Sequence, residues 1–157
     1  RGSLFTLDPK SPNVIAPHKR PFNTLSAGFV MHNNRPMMTV TVMGGDMQAQ
    51  GIAQVLLNVL DLGANLQAAT DMARFRHNQV PNVLSLESQL YALVGQQLEG
   101  IGHSVRSING GAVGGYQAIM FTPDSAVQSA AGGTLPPISG FYRAGSDHRK
   151  DGQAVGY

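Results

Sequence analysis

The chain has 157 residues, 42% of them hydrophobic and only 13% charged, which fits one domain, or part of one, and excludes a disordered chain. Its net charge of +2 is spread over scattered basic residues rather than a stripe interleaved with aromatics, so nucleic-acid binding is not expected. It has no cysteine, which excludes disulfides, thiol catalysis and Cys-ligated zinc, and no apolar run approaches the length of a membrane span.

In chain order, residues 1–23 read as an irregular lead-in, because Asp8-Pro9, Ser11-Pro12-Asn13 and Ala16-Pro17 each break regular structure. A β-hairpin is predicted over 24–42. Leu25, Ala27, Phe29 and Met31 alternate on one side, His32-Asn33-Asn34-Arg35-Pro36 carries turn chemistry, and 37–42 is a β-branched return strand. After Gly44-Gly45 a helix is predicted over 48–62. Its Ile52, Val55, Leu56, Val59 and Leu60 make one buried stripe, with Asp46 as N-cap and Gly63 as C-cap.

Asn65 is placed to cap a second helix over 66–73. Residues 75–82 read as a loop closed by Pro81-Asn82, and 83–86 as a short strand. A third helix is predicted over 88–100, with Leu90, Leu93, Val94 and Leu98 as its apolar face. A strand over 103–108, a turn at Asn109-Gly110, and a strand over 116–121 follow. The glycines of 110–115 read as a flexible hairpin connection, since the Lys-Ser/Thr of a phosphate loop is missing. Residues 128–137 are expected to be an insertion loop and 141–144 a last strand. This order predicts an α+β fold, with helices segregated on one face of a largely antiparallel sheet.

The stretch Val42-Met43-Gly44-Gly45-Asp46-Met47 organises the rest. A strand that turns through two glycines into a helix presents backbone N–H groups and the positive end of a helix dipole, which suits an anion or a developing oxyanion. The plainer alternative is that the glycines only permit a tight turn. His18, His32, His77, His103 and His148 show no metal-ligand spacing. Arg74-Phe75-Arg76-His77 reads as a helix end, where cations are favourable. Asp147-His148-Arg149-Lys150-Asp151-Gly152 reads as a solvated tail with internal ion pairs.

Read as a series, several segments resemble the carboxy-terminal half of the γ-glutamyltranspeptidase family. They are Asn-Val-Ile-Ala-Pro-His-Lys-Arg-Pro at 13–21, Gly44-Gly45, Asn58-Val59-Leu60-Asp61 and Ala73-Arg74-Phe75-Arg76-His77. Further on come Gly115-Tyr116-Gln117-Ala118-Ile119, the segment 146–152 and the closing Gly156-Tyr157. The resemblance covers nearly the whole chain, 1–157, and implies part of a four-layer αββα sandwich of the N-terminal-nucleophile hydrolase type. It implies an autoprocessed enzyme whose new N-terminal threonine attacks a γ-glutamyl amide, passing the acyl group to water or an amino acid. No cofactor is expected.

By the same resemblance, Gly44 and Gly45 are the oxyanion hole. Asn23 and Thr24 fall where the family has a serine pair that contacts the glutamyl carboxylate. Ser3-Leu4 falls where it has an acidic pair that holds the α-amino group, which leaves room for a related amide substrate. The nucleophile is not in the matching residues. The expected partners are therefore a large subunit and the earlier part of the small subunit. Besides the γ-glutamyl reading, a related acylase and a non-catalytic interaction domain stay open.

Overall fold

The computed structural model describes residues 5–20, 23–125 and 137–156. Ser3 and Leu4 lie outside these, as does the predicted insertion loop at 128–137 apart from Pro137.

The predicted hairpin forms from β1 (Ala27–His32) and β2 (Arg35–Met43). Its two-residue turn places Asn33 and Asn34 at φ +50° and +60°, the positive pair that matches the twist of a tight hairpin. β2 then pairs antiparallel with β6 (Gly115–Pro123), and β6 with β7 (Gly140–Ser146), giving a four-stranded sheet in the order β1-β2-β6-β7. Alternation decides the two faces. Met38, Val40 and Val42 are at most 5% exposed and meet Tyr116 and Ala118 of β6 in the core. Burying each such side chain stabilises the fold by roughly 1.5–3 kcal/mol. The opposite face carries Phe29, Ile119 and Tyr142, which are 66%, 48% and 74% exposed. Among the described residues it is an uncovered apolar surface.

Helix α1 (Met47–Leu60) covers the inner face through buried Val55, with Ile52, Leu56 and Val59 half-buried against the core. Leu60, the last residue of the helix, is 48% exposed, so the predicted stripe is one residue too long. Gly63 turns the chain out at φ +69° and lets the Ala64 N–H return to the Asn58 carbonyl at 2.9 Å. Asp46 stands at the N-cap position, but its backbone is already helical and its side chain caps nothing. Helix α2 (Leu66–Asp71) is shorter than predicted, because Met72 turns extended. Asn65 caps it as predicted, its Oδ1 accepting the Ala68 N–H at 2.8 Å. Asn65→Ala should therefore cost about 1 kcal/mol, read as a lower urea midpoint with unchanged slope.

Residues Phe75–Asn78 form a strand, β3, not the predicted loop. β3 pairs antiparallel with β4 (Val83–Glu87), and β4 pairs parallel with β5 (Val105–Ile108) across helix α3 (Ser88–Gly100). The outer edge of β3 is filled by side chains of α1. Gln54 accepts from the Phe75 N–H and donates to its carbonyl, both at 2.9 Å. Gln50 does the same to His77 at 2.8 and 3.0 Å. On α3, Leu90, Val94 and Leu98 are half-buried, whereas Leu93 is 74% exposed. The fold is thus mixed, one antiparallel sheet under α1 and α2 and one smaller mixed sheet under α3. No described helix is long and apolar enough to cross a membrane.

Asn109-Gly110 does not turn a hairpin, because β5 and β6 belong to different sheets. A short 3-10 helix (Gly110–Ala112) and fully buried Val113 carry the chain between them. The segment is therefore packed, not a flexible connection.

Candidate functional site

One end of the four-stranded sheet carries the Gly44-Gly45 turn, with the start of β1 beside it. β2 runs into Gly44 (φ +139°) and Gly45 (φ +59°), which lead directly into α1. Only glycine adopts both angles without strain. The Gly44 and Gly45 carbonyls accept from Met47 and Gln48 at 3.1 and 3.0 Å, which starts the helix. Among the described residues no acceptor takes the N–H of Gly44 or Gly45, and both residues are exposed. Two adjacent free donors, at the positive end of a 14-residue helix, form an anion-attracting notch.

The antiparallel register brings the start of β1 to the same end, with Ala27 opposite Thr41. Asn23 and Thr24 lie four and three residues before Ala27 in the chain. Asn23 is exposed, and its Oδ1 accepts the Leu25 N–H at 3.1 Å. Behind the start of α1 lies a polar basin of about 480 Å3, bordered by Asp46, Gln50, Arg76 and His77.

Beneath this end sits a buried ion network; the internal pair expected in the tail forms between Asp147 and Arg149, but it is buried and linked to Arg74 and Glu87, which neither local motif predicted. Arg74 and Asp147 are both fully buried and form an ion pair. Asp147 also binds Arg149 at 3.0 Å and accepts the Tyr116 N–H at 3.0 Å. Arg149 reaches Glu87 at 2.7 Å and the Thr70 carbonyl at 2.9 Å. The Arg74 N–H donates to Glu87 at 2.6 Å. The expected solvated tail is therefore, at Asp147 and Arg149, interior; and Arg74 is no exposed helix end.

Burial by itself would raise the Asp147 carboxyl. N–H bonds from Arg149 and Tyr116 and the Arg74 charge outweigh it and hold the group below its ordinary value. Burial would likewise lower Arg149, but its bonds to Glu87 and Asp147 raise it. Beside the network, exposed His148 pairs with Asp71 at 2.9 Å.

Residues 2–157 match the family model described as gamma-glutamyltranspeptidase. The chain is 29% identical, over 99% of its length, to a glutathione hydrolase-like proenzyme of Bacillus subtilis, of which it spans 28%. It superposes on the cephalosporin acylase of Bacillus halodurans with a TM-score of 0.76 and 32% identity, covering 100% of this chain and 27% of that one. It superposes on a mutant γ-glutamyltranspeptidase of Helicobacter pylori with a TM-score of 0.72 and 24% identity, covering 93% of this chain and 77% of that one. The chain thus spans under a third of the length of the Bacillus subtilis proenzyme and of the Bacillus halodurans acylase.

Proposed function

The chain belongs to the γ-glutamyltranspeptidase family, and we propose that it supplies the oxyanion-stabilising part of an amidohydrolase of that family. The observation that carries this reading is the pair of free, exposed N–H groups of Gly44 and Gly45 at the start of α1.

An N-terminal threonine from another part of the longer protein attacks the amide carbonyl, its own amine taking the proton. The carbonyl oxygen gains negative charge and accepts from the Gly44 and Gly45 N–H groups, while the α1 dipole favours the same charge. Collapse expels the substrate's amine, which takes that proton back from the threonine's ammonium as an acyl-enzyme forms, and the polar basin beside Asp46 and Arg76 gives the departing amine room; water then attacks the acyl-enzyme, releasing the acid and restoring the threonine hydroxyl. Asn23 and Thr24 donate hydrogen bonds to the acyl group's distal carboxylate. The uncovered face bearing Phe29, Ile119 and Tyr142 packs against a second sheet, which completes the four-layer αββα sandwich. The remainder of the small subunit and a large subunit are the partners that bring it.

A second reading keeps the mechanism and changes the acyl group, as in the similar cephalosporin acylase. Ser3 and Leu4, where the family resemblance calls for an acidic pair, favour it. The test is to purify the full-length protein, sequence the N-terminus of each chain present, and assay γ-glutamyl and glutaryl anilides side by side. A chain beginning with threonine, with hydrolysis of the γ-glutamyl anilide, is the expected result. Preference for the glutaryl compound, which lacks the α-amino group, moves the function to the acylase reading. A processed, folded protein that cleaves neither would contradict both.

A further inference from the structure

We infer that Gly114 is a positioning residue, which holds the Gly44-Gly45 donors in place by direct contact between backbones. The inference rests on the oxyanion reading above.

Gly114 has φ +79°, and a Cβ built on it would lie 2.3 Å from the Met43 carbonyl oxygen and 3.0 Å from Val42 Cγ1. Seen from the other side, a Cβ on Gly44 would lie 3.0 Å from the Gly114 Cα and 3.5 Å from its nitrogen. Two main chains therefore touch with no side chain between them, at the last strand residue before the free donors. A 2.3 Å approach to a carbonyl cannot be relieved by a rotamer change; one of the two main chains has to move.

Gly114 is fixed from behind. Val113, immediately before it, is fully buried, and its N–H donates to the Gly110 carbonyl at 3.3 Å. Gly110 in turn lies against the ion network, where an added Cβ would sit 2.7 Å from Glu87 Oε1 and 3.1 Å from Arg149 Nε. On its other side Gly115 is registered opposite Met43, and the Tyr116 N–H is held by Asp147. The segment 110–116 thus joins the buried ions to the glycine turn. Its stiffness limits how far Gly44 and Gly45 can drift, and a donor displaced by an ångström no longer meets the oxyanion.

The test compares Gly114→Ala with Gly63→Ala in the full-length protein. Gly63 has nearly the same backbone strain, φ +69°, but open space around its Cβ. Gly114→Ala should lower kcat by about 10-fold or more with KM changed less than about twofold. It should weaken a boronic-acid analogue, whose tetrahedral adduct needs the donors, by a similar factor, and leave a ground-state substrate analogue unaffected. Gly63→Ala should do none of this. If Gly114→Ala does not fold, Val113→Ala against Val40→Ala asks the same question by loosening the buried anchor rather than the contact. The Val113 variant should lose kcat and boronate affinity, and the Val40 variant should keep both.

Wild-type kcat and boronate affinity in folded Gly114→Ala, or in Val113→Ala, overturns the inference. If Gly45→Pro is also fully active, the oxyanion reading itself has failed. If Gly45→Pro is crippled while Gly114→Ala is not, only the positioning role has failed.

Discussion

Asp147→Ala is expected to cost about 3–5 kcal/mol in the full-length protein, the usual price of breaking a buried pair from one side. The change leaves the Arg74 guanidinium buried at 0% exposure without its carboxylate. Among the described residues its Nε and Nη1 have no hydrogen-bond partner, so Asp147 is the only side chain there that binds the guanidinium directly. It also orphans the Tyr116 and Arg149 N–H groups that Asp147 accepts. A large fall in urea midpoint checks this; a shift under about 1 kcal/mol would mean that the network is solvated.

The same carboxyl sets a pH dependence. It is held below its ordinary value of 3.8 in the folded chain, so the unfolded chain binds its proton first as pH drops. Its contribution is complete above the unfolded value and is lost as pH falls through the folded one. Stability from this group should stay level from neutrality to about pH 5 and decline below about pH 4. Asp147→Asn should flatten that part of the acid limb.

Gly45→Pro should lower kcat by about 10²–10³, the range found when one oxyanion donor is removed. Proline deletes the N–H and also forces φ to about −65°, whereas Gly45 sits at +59°. Gly45→Ala separates the two effects. It keeps the N–H, and its Cβ meets nothing within 4 Å, so only the left-handed backbone is strained, by about 1–2 kcal/mol. Its kcat should fall by less than about 10-fold. Equal kcat losses in the alanine and proline variants would show that the N–H itself is not what matters at this position.

What the sequence made legible was local. Asn33-Asn34 fixed the hairpin because two positive-φ residues suit few other turns. Asn65 announced its helix by side-chain chemistry alone. Gly44-Gly45 stood out because strand and helix periodicity meet there, and the resemblance then gave the pair a role to be tested. β3 was hidden because its edge partners are the side chains of Gln50 and Gln54, so the polar Phe75–Asn78 segment needs no apolar alternation.

The Asn109-Gly110 turn was legible as a bend, but turn chemistry does not say which sheet receives the next strand. The ion network was hidden for a similar reason. Arg74 and Asp147 are 73 positions apart, and Glu87 and Arg149 are 62, so a local window shows the Asp147–Arg149 pair but neither of the links that bury it. Gly114 was one glycine among several until its backbone contact with Gly44 was visible.

The most direct measurement is a crystal structure of the full-length protein with a boronic-acid analogue bound to its nucleophile. One boronate oxygen should accept from the Gly44 and Gly45 nitrogens at about 2.7–3.1 Å. An adduct whose oxygens are held by other donors, with both glycine nitrogens beyond about 4 Å and so outside hydrogen-bond reach, would contradict the assignment of this turn as the oxyanion hole.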